Sequence, residues 1–381
     1  MLPIKDPTLL KTQSLIDNQW VDATDRTTID VTNPFDNQVI ATIPSLEKSQ
    51  VIDAVAIAHK AQIDWAQKTA NERAAILNNW ADLIDQNKED LATIMTAEQG
   101  KPITESRGEI SYANSFIRWF AEEGKRIYGD IIPSTNKDLR YVVLKQPIGV
   151  CAAITPWNFP AAMITRKVAP ALAAGCSIIV KPATETPLTA LALGELAIRA
   201  GLPAGLLQIV TGKSSVIGEV LTQDERIHKL SFTGSTEVGR TLMAQCASTV
   251  KKLSMELGGN APFIVFDDAD LEKAASGLIA SKYRNAGQTC VCANRVYVQS
   301  GIKDKFLAIF KQKVEALKVG NGMTEGVNIG PLINQGALDK VEQLLTDAVN
   351  KGATVVTGGK KHSASDLSFE PTIITGITDD M

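Results

Sequence analysis

The side chains best suited to covalent chemistry lie in the segment Arg284-Asn285-Ala286-Gly287-Gln288-Thr289-Cys290-Val291-Cys292. Cys290 follows small and polar residues, a glycine lies close upstream, and neither neighbour is charged. A backbone turn with this composition can direct a peptide N–H toward the group that a sulfur atom attacks. Because an isolated free cysteine is more often a buried small residue, the prediction that Cys290 is a nucleophile depends on the rest of the chain.

A carboxylate suited to acid–base chemistry lies in Met255-Glu256-Leu257-Gly258-Gly259-Asn260. Glu256 interrupts an apolar strand pattern and precedes two glycines, which predicts a position at a backbone bend facing a cavity. Desolvation there would raise the pKa of the carboxyl group, and Glu256 could then act as a general base near neutral pH. The alternative is a structural glutamate held by hydrogen bonds.

Alternating strands and helices are predicted to position these groups. Short apolar strands alternate with helices that end at glycines; the strands are predicted at 149–154, 177–180, 207–210 and 230–232, and the helices at 161–174 and 188–200. This alternation is typical of a parallel sheet covered on both faces. We therefore predict the α/β class and a doubly wound, Rossmann-like domain, which binds its ligand at the carboxyl ends of the strands.

Three polar or glycine-containing segments follow predicted strands directly. They are Pro156-Trp157-Asn158-Phe159-Pro160, Lys181-Pro182-Ala183-Thr184 and Gly234-Ser235-Thr236-Glu237-Val238-Gly239. The last offers a helix N-terminus to an anion such as a pyrophosphate. Each signal is weak alone, since strand–helix turns often carry glycine and a lysine is more often a solvated cation. Together, at successive strand ends, they favour a nucleotide site.

The composition argues against several classes of protein. With 381 residues, 44% hydrophobic residues and a net charge of -3, the chain has the composition of a globular protein of two domains, without the basic character of nucleic-acid-binding proteins. It shows neither an apolar signal segment nor a membrane-spanning run, so we expect a cytoplasmic protein that does not bind membranes. Five scattered cysteines form no disulfide framework, and no metal site is predicted.

The regions on either side of the predicted sheet are less distinctive. Residues 1–126 are expected to form an entry segment followed by helices, with a capping box at Thr69-x-x-Glu72 and with the Trp and Phe residues in the core. Extended segments at 131–133 and 141–144 could form a hairpin that pairs subunits or an ordinary β-meander. After Cys292, further strands and helices predict a second α/β domain, which carries the thiol across a cleft from the nucleotide.

Three motifs in a fixed order point to a known family. The motifs Phe232-Thr233-Gly234-Ser235, Met255-Glu256-Leu257-Gly258-Gly259 and Gly287-Gln288-Thr289-Cys290 resemble the aldehyde dehydrogenase superfamily. Within it, segments 156–167 and 284–295 look like those of the bacterial succinate-semialdehyde dehydrogenases, and the resemblance runs from about Leu15 to the last residue. It implies NAD(P)-dependent oxidation of succinate semialdehyde to succinate, a step of GABA degradation.

The resemblance implies an active-site role for four residues. Cys290 would attack the aldehyde as a thiolate and form a hemithioacetal. The side-chain amide of Asn158 and the backbone N–H of Cys290 would form the oxyanion hole. After hydride transfer, Glu256 would activate the water that hydrolyses the thioester. Lys167 would lie near the cofactor.

The resemblance also implies a set of cofactor-binding residues, with Gly234 and Ser235 at the pyrophosphate: Thr155, Pro156, Trp157, Lys181, Ala183, Thr184, Gly212, Phe232, Gly234, Ser235 and Leu257. In the family pattern a glutamate follows Lys-Pro-Ala and repels a 2′-phosphate, whereas this chain has Thr184 there. A hydroxyl beside Lys181 can donate to a phosphate. NADP is therefore the expected cofactor, with NAD as the alternative because Glu185 is adjacent.

Two arginines and a second cysteine complete the predicted site. Arg166 and Arg284 match family arginines that bind the distal carboxylate of the substrate, and a guanidinium suits a carboxylate geometrically; either could instead be a solvated helix arginine. Cys292 is a candidate redox partner, since subfamily members with the same Cys-x-Cys close a reversible disulfide. Core filling is the favoured role for Cys292, because so short a ring strains the bridge.

The resemblance divides the chain into a dinucleotide-binding domain (1–126 and 149–258), an oligomerisation segment (127–148) and a catalytic domain (259–381), and it implies a homo-oligomer, a tetramer or a dimer. Family members continue past the position of Met381 with a Glu-x-Phe-Gly-Pro segment, a carboxylate-binding serine and a final strand, so the catalytic domain is expected to be incomplete. Three alternatives remain: a dehydrogenase of another small aldehyde, a CoA-acylating enzyme, which the Glu256 motif disfavours, and a non-catalytic nucleotide-binding relic.

Overall fold

The computed structural model describes residues 2–381 and has fifteen β-strands and eleven α-helices in that range. The strands are β1 (Ser14–Ile16), β2 (Gln19–Val21), β3 (Thr28–Thr32), β4 (Val39–Pro44), β5 (Asp130–Ile132), β6 (Tyr141–Val143), β7 (Val150–Ile154), β8 (Ser177–Lys181), β9 (Leu207–Ile209), β10 (Ile227–Gly234), β11 (Lys252–Leu257), β12 (Ala261–Val265), β13 (Ala293–Val298), β14 (Thr354–Thr357) and β15 (Ile373–Thr375). The helices are α1 (Lys48–Gln67), α2 (Ala70–Gln86), α3 (Lys88–Gln99), α4 (Ile103–Glu123), α5 (Ala162–Ala173), α6 (Leu188–Arg199), α7 (Ser214–Gln223), α8 (Thr236–Cys246), α9 (Leu271–Lys282), α10 (Lys303–Glu315) and α11 (Gln335–Asn350).

The central sheet has seven strands in the order β11-β10-β7-β8-β9-β1-β2. Strands β7 to β11 are parallel, as predicted, and β1 and β2 are antiparallel additions beside β9. The chain proceeds from β7 to β9 in one direction across the sheet and then returns to place β10 on the other side of β7. The direction reverses between β7 and β10, and doubly wound folds bind their ligands at the carboxyl ends of the strands at such a point.

Helices cover both faces of this sheet. One core lies largely between the sheet and α2 to α6, and the other between the sheet and α1, α7 and α8. Trp65 and Trp80 are buried, as predicted, and their indole N–H groups donate to the carbonyl oxygens of Leu172 and Leu193 at 2.9 and 3.0 Å. The predicted capping box begins α2, with Glu72 at its third position. The strands of the sheet therefore pack against helices on both faces.

Strands β1 to β4 were not predicted from the sequence, which indicated only an entry segment before the helices. Strands β1 and β2 have only three residues each, too few to show an alternating pattern. Strand β1 pairs with β9 through Leu15 and Ile209, which are far apart in the chain. A local pattern cannot reveal a strand that depends on so distant a partner.

Strands β5 and β6 form the predicted hairpin. They pair only with each other among residues 2–381, so the hairpin is not part of a larger β-meander. Its side chains are exposed, including those of Ile131 and Val142. The hairpin therefore leaves apolar side chains without a core to pack against.

A second α/β unit follows the central sheet. Strands β12 and β13 pair in parallel, α9 connects them, and a separate core contains Val265, Phe306 and Phe310. Farther along the chain, β14 and β15 form an antiparallel pair. The division into domains at residue 259 remains a prediction. None of the helices in residues 2–381 combines the length and apolar character that a membrane crossing requires.

Candidate active site

The loops after β7 and β10 lie side by side at the point where the strand order of the central sheet reverses. The first loop contains Thr155 to Pro160 and leads into α5, and the second contains Ser235, which begins α8. The Ser235 hydroxyl accepts a hydrogen bond from the backbone N–H of Val238 at 3.3 Å. The remaining N–H groups of the first turn point out of the helix, and such groups bind phosphates in many proteins.

The thiol loop, residues 284–290, follows α9 and has an unusual backbone. Asn285 and Ala286 both have a φ of +53°, in the left-handed region, which costs an alanine roughly 1–2 kcal/mol. Asn285 is buried and holds this turn: its backbone N–H donates to Glu105 at 2.8 Å, and its side-chain oxygen accepts from Gln99 at 2.9 Å. The turn presents Cys290 as a half-buried free thiol.

Asn158 lies against the thiol loop. Its Nδ2 donates to the carbonyl oxygen of Gln288, two residues before Cys290, at 3.1 Å. In return, Asn285 Nδ2 donates to the carbonyl oxygen of Asn158 at 3.1 Å. These bonds cross from the central sheet to the second unit and bring the predicted oxyanion donor to the predicted nucleophile. The side-chain oxygen of Asn158, Oδ1, is buried and lacks a hydrogen-bond partner among the described residues.

A buried ion pair that was not predicted from the sequence lies behind Asn158. Lys101 Nζ donates to Glu109 at 2.6 Å and to the carbonyl oxygen of Asn158 at 2.7 Å, and both charged side chains are almost fully buried. The other oxygen of Glu109 accepts from the backbone N–H groups of Ala161 and Ala162, at the start of α5. We call Lys101 and Glu109 the buried clamp, because together they hold both ends of the loop that carries Asn158.

Glu256 lies at the carboxyl end of β11, as predicted, but its side chain is exposed, so the expected desolvation is wrong for this structure. The reason is that β11 is the edge strand of the sheet and has no neighbour on one side. The segment after Glu256 does approach the thiol loop: a Cβ built on Gly259 would lie 3.7 Å from the carbonyl oxygen of Cys290. The carboxylate-bearing strand and the thiol are thus adjacent.

Lys167 is buried on α5 and points toward the sheet. Its Nζ donates to the hydroxyl of Ser231 at 2.8 Å. Burial lowers the pKa of Lys167 to about 8, and the nearby charge of Glu256 opposes part of this shift. Lys167 and Glu256 are therefore close enough to interact, as the prediction of a shared site requires.

The residues predicted to bind a dinucleotide are found along the carboxyl ends of β7, β8 and β10, except Gly212, which follows β9, and Leu257, which ends β11. Two buried hydroxyls, those of Thr155 and Thr233, lack a hydrogen-bond partner among the described residues. Gly212 has a φ of +142°, and a Cβ there would lie 2.9 Å from the backbone nitrogen of Leu46. Unpartnered donors at strand ends and a tight glycine turn fit a bound dinucleotide.

The predicted cofactor-binding residues Lys181, Ala183 and Thr184 lie at the carboxyl end of β8. The ammonium of Lys181 is buried and donates to the carbonyl oxygen of Pro182 at 3.0 Å. Burial lowers its pKa to about 8, against the opposing charge of Glu185. Four other predicted cofactor-binding residues at the strand ends are partly exposed: Pro156, Trp157, Ala183 and Thr184. Phe232 is buried, and its ring lies against Gly234.

The two predicted substrate arginines contact aromatic rings. The Arg284 guanidinium lies 5.1 Å from the ring centre of Phe159 and is exposed. The Arg166 guanidinium donates from Nη2 to the hydroxyl of Tyr112 at 2.8 Å. Tyr112 and Phe159 were not predicted as part of the site. Neither arginine forms an ion pair within residues 2–381, so both keep a free positive charge for a ligand.

Cys292 is buried below the thiol loop. Its sulfur contacts the hydroxyl of Thr289 at 2.7 Å and the carbonyl oxygens of Ser281 and Gly287 at 3.3 Å each. These contacts favour the predicted role in packing the loop. Its role as a redox partner remains a prediction.

Comparisons with known proteins agree with this geometry. The model of the aldehyde dehydrogenase family matches residues 20–381. The chain is 56% identical over 376 residues to the NADP(+)-dependent succinate-semialdehyde dehydrogenase of Escherichia coli (strain K12). The alignment covers 99% of this chain and 78% of that protein. It is 55% identical over 381 residues to the 3-sulfolactaldehyde dehydrogenase of Pseudomonas putida, and the alignment covers 100% of this chain and 78% of that protein.

A solved structure gives the same result. The crystal structure of an aldehyde dehydrogenase from Brucella melitensis biovar abortus 2308 is 62% identical and superimposes with a TM-score of 0.98, covering 100% of this chain and 78% of that one. The fold, the order of the site loops and these identities agree, and the chain belongs to the aldehyde dehydrogenase family.

Proposed function

We propose that this protein oxidises succinate semialdehyde to succinate with NADP as the hydride acceptor, in the cytoplasm, as a step of GABA degradation. The observation that carries the chemistry is the 3.1 Å hydrogen bond from Asn158 Nδ2 to the Gln288 carbonyl oxygen, because it fixes an amide donor beside the thiol loop. The relative with 56% identity supports the substrate and the cofactor.

Cys290 performs the first step. Its thiolate adds to the carbonyl carbon of the aldehyde, and the carbonyl electron pair moves to oxygen, which forms a hemithioacetal alkoxide. Asn158 Nδ2 and the backbone N–H of Cys290 donate to that oxygen. Donors that are already oriented before reaction stabilise the developing charge most effectively, and the buried clamp supplies this orientation for Asn158.

Thr155, Lys181, Thr184, Gly212, Gly234 and Ser235 would hold the dinucleotide along the strand ends. When bound, the nicotinamide supplies an acceptor for the hydride that leaves as the carbonyl reforms. Thr184 and the Lys181 ammonium suit a 2′-phosphate, since a phosphate accepts charge-assisted hydrogen bonds from both groups. These two residues are the basis for proposing NADP rather than NAD.

Glu256 completes the cycle. The hydride transfer leaves an acyl thioester on Cys290, and Glu256 accepts a proton from the water that attacks it. The water oxygen bonds to the acyl carbon, the carbon–sulfur bond breaks, and the thiolate is restored. The exposure of Glu256 gives it access to water. A hydrolytic base at this position favours a dehydrogenase over a CoA-acylating enzyme.

Arg166 and Arg284 would bind the distal carboxylate of the substrate. Both guanidinium groups are partly accessible and form no ion pair in residues 2–381. A second candidate substrate is an aldehyde with a distal sulfonate, which the relative from Pseudomonas putida favours. The same two cations would recognise either anion, and we propose the carboxylate because a planar guanidinium pairs with it through two hydrogen bonds.

The direct test is NADPH formation by the purified protein with succinate semialdehyde, with 3-sulfolactaldehyde and with butanal. We expect the highest kcat/KM for succinate semialdehyde, and no turnover in the Cys290→Ala variant. The Cys292→Ala variant is the matched control and should retain turnover, because Cys292 is buried behind the loop. A higher kcat/KM for butanal than for both anionic aldehydes would refute the proposed substrate class.

A further inference from the structure

The contacts of Arg166 with α4 differ from those of an ordinary surface arginine. Its guanidinium carbon lies 4.7 Å from the ring centre of Phe116 and 5.6 Å from that of Tyr112. The two rings meet edge to face, with centres 4.8 Å apart and an interplanar angle of 63°. Nη2 donates to the Tyr112 hydroxyl at 2.8 Å, whereas the buried Nε has no partner among the described residues. Two aromatic rings and one hydroxyl therefore fix this cation.

One face of α4 organises the whole region. Glu105, Glu109, Tyr112 and Phe116 are spaced by four, three and four residues, so they lie on one side of the helix. Glu105 binds the backbone N–H of Asn285, directly after Arg284, and Glu109 binds the first turn of α5. Tyr112 and Phe116 continue this row to Arg166. The same face thus holds the thiol loop, the loop of Asn158 and a candidate substrate cation.

The chemistry of the Arg166 contacts matters for an anionic substrate. A carboxylate would also fix a guanidinium, but it would neutralise the charge that must attract the ligand. An aromatic face attracts the cation through its quadrupole and leaves the net charge in place. The Tyr112 oxygen accepts from Arg166 and keeps its own O–H as a donor. A distal anion could therefore receive hydrogen bonds from both Arg166 and Tyr112.

We propose that Tyr112 and Phe116 are specificity-determining residues, which position an uncompensated Arg166 guanidinium for the distal anionic group of the aldehyde. This inference rests on the proposed function, because it requires Arg166 to bind the substrate anion. Tyr112 and Phe116 act through Arg166 and through the tyrosine hydroxyl, at the end of the substrate opposite the aldehyde. The step at Cys290 does not depend on them.

The test compares variants with succinate semialdehyde and with butanal at saturating NADP. Tyr112→Phe removes only the hydroxyl, and Phe116→Leu removes the ring face beneath the guanidinium. Each should raise KM for succinate semialdehyde about five- to tenfold, the size expected for loss of one ordinary hydrogen bond or one cation–aromatic contact. The kcat for both substrates and the KM for butanal should remain within about twofold, because an uncharged aldehyde does not use Arg166.

Two control variants separate a loss of Arg166 positioning from a general loss of structure or activity. Phe116→Tyr keeps an aromatic face and should retain the KM of the parent protein. Ser115→Ala removes an exposed hydroxyl from the same helix, where it donates only to the Tyr112 backbone, and should also have no effect. Equal losses with both substrates, or no change in either KM for Tyr112→Phe and Phe116→Leu, would overturn this inference.

The Arg166→Gln variant distinguishes this failure from failure of the proposed function. If Arg166→Gln removes the preference for succinate semialdehyde but the two aromatic variants do not, only the role of Tyr112 and Phe116 is overturned. If Arg166→Gln leaves the preference unchanged, the anion pocket of the proposed function is overturned as well.

Discussion

The buried ammonium of Lys181 connects the choice of cofactor to pH. Its side chain is only slightly exposed, and burial lowers its pKa to about 8, while Glu185 opposes the shift. A group with this pKa is mostly charged at pH 7 and mostly neutral at pH 9. The 2′-phosphate of NADP would benefit from the charge, whereas NAD has no group at that position.

We therefore expect the ratio of kcat/KM for NADP to kcat/KM for NAD to fall as the pH rises above about 8, by up to roughly tenfold per pH unit. The ratio is the informative quantity, because Lys167 has a pKa of about 8 as well and its titration should affect both cofactors alike. Steady-state kinetics between pH 6.5 and 9.5, in about half-unit steps, give the profile.

The Lys181→Arg variant is the control for this profile. Arginine stays protonated throughout the range, so the ratio for this variant should not change with pH. A ratio that falls equally in Lys181→Arg, or a flat ratio in the parent protein, would remove Lys181 from the recognition of the 2′-phosphate.

For single residues, the sequence identified the candidate side chains of the site but not how far each is exposed to solvent. Cys290, Asn158 and Glu256 could be selected because each occurs in a distinctive motif. The exposure of Glu256 depends on whether a strand covers β11, and no local pattern contains that information. The aromatic contacts of Arg166 were also missed, although the spacing of Tyr112 and Phe116 on one helix face was a usable signal.

Among the larger elements, α4 and the loop that precedes it act as the frame of the active site. The buried clamp joins them to the loop after β7, through Lys101 to the Asn158 carbonyl and through Glu109 to the start of α5. The side chains of Ile110, Ala113 and Ile117 on α4 pack in the core. The buried clamp could not be predicted from the sequence, because a buried lysine is rare and a local pattern does not show that a loop lysine reaches a carboxylate on the next helix.

We expect Glu109→Gln to lower the free energy of unfolding by about 3–5 kcal/mol, because it leaves the Lys101 ammonium buried without a counter-charge. The kcat should also fall about tenfold or more, since the loop carrying the Asn158 amide loses part of its support. Urea unfolding followed by fluorescence, together with steady-state kinetics, measures the two effects.

The double variant Lys101→Met/Glu109→Leu separates stability from positioning. Replacing a buried pair with apolar residues of similar size often restores stability, so the free energy of unfolding should recover substantially. The kcat should remain low, because the Asn158 carbonyl still lacks its bond from Lys101 and the α5 N–H groups still lack their bonds to Glu109. Recovery of both quantities would contradict a positioning role for the clamp.

For the molecule as a whole, the hairpin of β5 and β6 leaves an exposed apolar surface. Ile131, Val142 and Leu144 are exposed by 78%, 62% and 75%, on a two-stranded sheet that has no core behind it. An isolated hairpin of this kind is marginally stable in water. We propose that a second copy covers it in a homo-oligomer, a dimer or a tetramer.

Replacing Ile131 and Val142 by lysine should shift the protein toward the monomer in sedimentation velocity at micromolar concentration, because paired apolar strands tolerate charge poorly. Ile63→Lys introduces the same charge at an exposed apolar residue of α1, away from the hairpin, and should leave the sedimentation coefficient unchanged. An unchanged coefficient for the hairpin variant would place any interface elsewhere.

In the proposed mechanism, oxidation proceeds through a thioester on Cys290, which Glu256 helps to hydrolyse. The most direct measurement is mass spectrometry of the Glu256→Gln variant after exposure to succinate semialdehyde and NADP. We predict a succinyl adduct that fragment ions assign to Cys290 and not to Cys292, formed together with stoichiometric NADPH and lost only slowly. An adduct on another residue, or NADPH formation without any adduct in a variant that also carries Cys290→Ser, would rule out a thioester on Cys290 as the intermediate.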